Sequence, residues 1–69
     1  MIEELDVVAL LIDRADLGLR KGQVGAVVCS YGEGKAFEVE FVDDDGETYA
    51  LETFAPEQLL KLYHDVRAA

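Results

Sequence analysis

The stretch Ala36-Phe37-Glu38-Val39-Glu40-Phe41-Val42 constrains the fold of this chain more than any other. Phe37, Val39 and Phe41 alternate with Glu38 and Glu40. A period of two places the apolar set on one face of a strand and the carboxylates on the other, wet face. Asp43-Asp44-Asp45-Gly46 follows, and an Asp-Gly pair between two alternating runs is a strong hairpin signal. The next run, Glu47 to Phe54, places Tyr49 and Leu51 on one face and Glu52 on the other.

Two further runs precede this hairpin. Asp6 to Asp13 is rich in Val, Leu and Ile, and continuous enough to be buried on both faces or at a barrel seam. The polar linker Arg14 to Gly25 carries Gly18, Gly22 and Gly25, which predict positive-φ positions and a tight final turn. Ala26 to Tyr31 is the second run, ended by a Gly32-Glu33-Gly34-Lys35 loop. Pro56 stops the fourth run because it cannot donate to a ladder, and it suits the first position of a 3₁₀ or α-helical turn. Beyond it the pattern allows two outcomes. Leu59, Leu62, Tyr63 and Val66 have helical spacing, whereas a single turn at Pro56-Glu57-Gln58 would leave Leu59 to Tyr63 as a short closing strand. Short strands with tight turns predict an all-β antiparallel meander of about five strands, partly closed into a small barrel to limit its edges.

At 69 residues the chain reads as one domain with a thin core, too small to shelter a deep catalytic cleft. Half of it is hydrophobic, 51 %, which argues against disorder. The longest apolar stretch, Val7 to Ile12, is far shorter than the ~20 residues that span a bilayer. Met1-Ile2-Glu3-Glu4 begins acidic where a secretory signal would begin basic, so a cytoplasmic location is expected. Cys29 has no second cysteine to pair with, and in Ala26-Val27-Val28-Cys29 it reads as a small buried hydrophobe.

Charge narrows the partners. The chain carries a net −9, and across residues 33–57 nine acids stand against Lys35 alone. Such a chain should avoid nucleic acid and anionic membranes, whose binding needs Lys and Arg. A basic protein would be drawn to it, most strongly at low salt. Arg14, Arg20 and Lys21 form the one small basic cluster, in the glycine-bearing linker.

The order of first strand, glycine-bearing loop, hairpin pair and proline-led turn resembles the bacterial family known as domain of unknown function 4926. The matching stretches are Glu4-Leu5-Asp6-Val7-Val8, Gly18-Leu19-Arg20-Lys21-Gly22-Gln23-Val24-Gly25-Ala26-Val27-Val28, and Phe37-Glu38-Val39-Glu40-Phe41-Val42 with Asp45-Gly46-Glu47-Thr48. The resemblance covers roughly residues 3 to 60. It implies an SH3-like barrel whose proline turn leads into a short last strand, and it supplies no catalytic residues. Some members look like neighbours of toxin-like genes, which implies an antitoxin or immunity role. Gly22 to Val28, preceded by Lys21, is also similar to the KOW motif of ribosomal and transcription-factor barrels, where neighbouring basic residues touch RNA. Peptide-binding SH3 domains match less well, since this chain has no Trp for their aromatic groove.

Other constellations fail on spacing. An EF-hand loop starting at Asp43 would need a Glu as its twelfth residue, where Phe54 stands. Glu38 and Glu40 share one solvated strand face, whereas a glycosidase pair needs two environments across a cleft. Gly18, Gly22 and Gly25 lack the Gly-Lys-Ser/Thr ending of a phosphate loop. His64 has no second ligand at zinc spacing. Tyr31, Tyr49 and Tyr63 are candidate contact anchors.

The sequence therefore predicts a non-enzymatic interaction module without cofactor or metal. Its contact surface would be Glu38, Glu40, Asp43, Asp44, Glu47 and Glu52, facing a basic partner. The alternatives are a KOW-like nucleic-acid or ribosome-associated module using Arg14, Arg20 and Lys21, or a small structural subunit of a larger complex. A homodimer through an exposed edge or a Leu59/Leu62/Val66 stripe is also compatible.

Overall fold

A computed structural model of the chain describes residues 1–63. It contains five strands, β1 (Val7–Leu10), β2 (Val24–Tyr31), β3 (Ala36–Val42), β4 (Thr48–Phe54) and β5 (Leu59–Leu62). All pair antiparallel in one sheet of order β4-β3-β2-β1-β5. Two 3₁₀ turns, Ala15–Leu17 and Pro56–Gln58, interrupt the connections. The result is the small all-β, barrel-like arrangement that the meander predicts.

β3 has the predicted bounds, and its inward set is sealed: Phe37, Val39 and Phe41 are buried with Phe54, Val8, Leu10, Val27 and Leu59. Burying each side chain of this size contributes about 1.5–3 kcal/mol, which makes three phenylalanines a large share of a thin core. Phe41 and Phe54 meet edge to face, with ring centroids 6.1 Å apart. Leu19, inside the polar linker, is also fully buried. The linker folds back through an Arg14–Leu19 bridge and inserts that side chain into the core.

The ambiguity after Pro56 resolves as the closing strand. The Gln58 side chain accepts a hydrogen bond from the Ala55 amide at 2.8 Å and holds the 3₁₀ turn, and β5 then pairs with β1. Val66 and His64 lie outside the described residues. Leu59 faces the core, so it cannot belong to an exposed dimer stripe. Among the described residues no helix is long and apolar enough to cross a membrane.

Two bulges move side chains off their predicted faces. In β2 the register with β3 shifts between Val27 and Cys29, leaving Val28 as the extra residue. Alternation past a bulge inverts, so Cys29 pairs with outward Glu38 and is half-buried where the sequence predicts it buried. The second shift, at Phe41/Val42, leaves Tyr49 as the extra residue of β4. Tyr49 and Leu51 are therefore separated: Tyr49 leans on Phe41, with ring centroids 6.3 Å apart, and Leu51 points outward opposite Glu40.

The linker glycines also differ in what they do. Gly18 and Gly22 have φ of 72° and 94°, as predicted, but Gly25 does not lie in the positive-φ region. A Cβ at Gly25 would come within 2.7 Å of Val39 Cγ1, 2.8 Å of the Glu40 carbonyl oxygen and 2.9 Å of Phe41 Cδ1. Glycine stands there because β2 presses directly onto β3.

Candidate acidic interaction face

Cross-strand partners share a face, so the register sorts the candidate residues. Glu38 lies opposite Thr53 and Cys29, and Glu40 opposite Leu51 and Ala26, all on the outward side of the sheet. The Tyr31 hydroxyl donates to Glu38 Oε1 at 2.5 Å, and the Thr48 hydroxyl donates to Glu40 Oε2 at 2.5 Å. Bonding to Glu38, and next to Cys29, holds the Tyr31 phenol well above its ordinary range. Each carboxylate is thus fixed by one neighbour and keeps lone pairs free for another donor.

Glu52 does not join them. It pairs with Val39, a core residue, so it lies on the inward-facing side of β4 and is half-buried at its rim. The inversion follows from the sheet's own parity: Phe54, two residues on, is buried on that same side.

Asp43 has a different role from Asp44. Its Oδ1 accepts the backbone N–H of Asp45 at 2.9 Å and of Glu47 at 3.0 Å. The Asp43 amide in turn donates to the Glu47 carbonyl at 2.9 Å. This carboxylate organises the turn, a use short Asp side chains suit. Asp44, Asp45 and Glu47 are exposed beside it.

Among the described residues the ion pairs are Arg14–Asp16 at 3.1 Å and Lys61–Asp6 at 3.2 Å. Neither involves β3 or its following turn. The local negative field there is uncompensated by a contacting cation of the described residues.

The basic cluster is broken up by acids. Arg14 donates from Nε and Nη2 to the two oxygens of Asp16, each at 3.1 Å. That bonding, with a smaller contribution from Glu52, raises the Arg14 guanidinium further above its usual range and lowers the Asp16 carboxyl. The Lys21 amide donates to Asp13 Oδ1 at 2.8 Å. Arg20 shares an open groove with Asp13, Ala15 and Gly18. Gln23 ties this loop to the hairpin, accepting from the Arg20 amide and donating to the Tyr49 hydroxyl at 3.0 Å.

Sequence reasoning overlooked the apolar members of the outward face. Val7, Val24, Val42, Leu51 and Leu60 are exposed large aliphatics. Alternation in β3 signals Val42, but the others come from register, which only the folded chain supplies. Among the described residues no group of three or more His, Cys, Asp or Glu side chains is placed to hold a metal ion.

Residues 4–61 match the model of the family described as domain of unknown function, DUF4926. No curated protein and no solved structure matches the chain significantly. With the match spanning most of its 69 residues, the chain belongs to the DUF4926 family.

Proposed function

We propose that this chain is a non-enzymatic protein-interaction module that binds a basic protein, as an antitoxin- or immunity-type or regulatory partner. The observation that supports this most is the set of carboxylates on β3 and its turn, Glu38, Glu40, Asp44, Asp45 and Glu47, with no contacting cation among the described residues. Like charges held this close destabilise the free chain through self-repulsion, and an approaching cationic surface relieves it. Glu52, on the inward side of β4 opposite Val39, is left out of the contact, and Asp43 contributes as the organiser of the turn.

The test is affinity capture from a lysate of the source organism, using the intact chain as bait and a salt gradient for elution. A basic protein should be retained at low salt and released as salt rises, because exposed charge pairs are screened over ~10 Å at 0.1 M. Replacing Glu38, Glu40, Asp44 and Glu47 by Gln or Asn should abolish retention. Capture that persists in that variant contradicts the proposed surface.

A further inference from the structure

The outward face of the sheet is more than the wet acidic surface that alternation predicts. One row crosses all five strands: Leu62, Val7, Ala26, Glu40 and Leu51 are successive cross-strand partners. The neighbouring row is Leu60, Ala9 and Val24. Val42 shares this face, two residues beyond Glu40. Val7, Val24, Val42, Leu51 and Leu60 are each 37–50 % exposed. Isolated surface aliphatics are ordinary, whereas several on one face of adjoining strands mark a contact surface.

Glu38 and Glu40 sit within that face. Their Cα atoms, two residues apart on a strand, are separated by about 6.8 Å. They are half-buried, each anchored by one hydroxyl, and in no ion pair among the described residues. The docking residues lie on three adjoining strands, Val24 on β2, Glu38, Glu40 and Val42 on β3 and Leu51 on β4, which at about 4.8 Å spacing span about 10 Å, the diameter of one helix.

Building on the acidic-module reading above, we propose that this outward face docks a cationic amphipathic helix of the partner protein. Aliphatic side chains of the helix would cover Val24, Val42 and Leu51. Lysines or arginines four residues apart, about 6 Å along a helix axis, would meet Glu38 and Glu40. A second copy of this chain fits worse. A two-fold contact sets the same patch against itself, so Glu38 and Glu40 would face their own kind between two chains of net −9.

Nitrogen-15 NMR of the intact chain, titrated with two model peptides, tests this. One is an eighteen-residue Leu/Lys helix with an apolar stripe; the other is an oligolysine of equal length. The Leu/Lys helix should shift the amides of Val24, Ala26, Glu38, Glu40 and Leu51. Leu51→Thr or Val24→Thr, both strand-compatible, should weaken it about tenfold, the loss expected when one aliphatic contact is removed. Oligolysine should bind far more weakly. Equal binding of both peptides, or shifts confined to Asp43–Glu47, would overturn the helix proposal while leaving a purely electrostatic acidic module standing. No binding of the Leu/Lys helix overturns it as well. So does light scattering that finds a dimer dissociated by Leu51→Thr, which would give the face to a second copy.

Discussion

At Gly25 one missing methyl group lets two strands touch. Alanine there would drive its Cβ into Val39, the Glu40 carbonyl and Phe41, all closer than 3.0 Å. Overpacking of this kind costs about 1–3 kcal/mol, a large fraction of the 5–15 kcal/mol typical of a domain. Gly25→Ala should therefore lower the urea midpoint markedly, and an unchanged midpoint would show that β2 can move away from β3. Leu5 is a second position where backbone geometry dominates. Its φ is 75° and its side chain is 86 % exposed, so a left-handed conformation is imposed on a leucine that gains little from packing. Leu5→Asn should raise stability by roughly 0.5–1 kcal/mol, since Asn tolerates this region better. Thermal melts of the two proteins at equal concentration would check it.

At the scale of elements, the hairpin and the β1–β5 seam depend on different carboxylates. Asp43 accepts two backbone amides within the turn, so Asp43→Ala should cost about 1 kcal/mol. Asp44→Ala makes no such change and should stay within about 0.5 kcal/mol of the parent. At the seam, Asp6 accepts the Glu3 amide at 2.7 Å and pairs with Lys61. The Glu3 amide, then Lys61, holds the Asp6 carboxyl below its ordinary 3.8, and Asp6 raises Lys61 above 10.5. A depressed carboxyl stabilises the fold above its unfolded pKa and loses that contribution as pH falls through the folded value. The raised amine stabilises below 10.5 and loses its contribution at higher pH. Asp6→Asn should melt below the parent at pH 7, with the gap closing as pH drops below 3.8.

These elements also show what the sequence makes legible. β3 matches its predicted bounds because strict alternation and an Asp-Gly turn specify both its parity and its end. The Pro56 turn follows from the missing proline N–H. The residues after it fit a helix as well as a strand, and only the family resemblance implies the closing strand that pairs with β1. Parity beyond a bulge was not readable: Cys29, Tyr49 and Leu51 change company because one residue is inserted opposite the partner strand, and no local composition marks the place. Glu52 lies off the acidic face for a related reason, since its side follows from pairing with Val39 and not from its charge. Leu19 was hidden because a polar linker can fold back and contribute a core residue through one bridge.

For the whole molecule, the acidic charge has a location and a setting. The carboxylates of β3 stand among aliphatics on the outward face, the turn adds exposed acids at one end, and Arg14 of the basic loop is paired with Asp16. An interaction through that face differs from one through the loop in the residues it perturbs. The direct measurement is NMR mapping of the labelled chain against the basic protein recovered by affinity capture. The largest shifts should fall on Glu38, Glu40, Leu51 and the Asp44–Glu47 turn, with Arg14, Arg20 and Lys21 unmoved. Shifts centred on Arg14, Arg20 and Lys21 instead would contradict the acidic-face account.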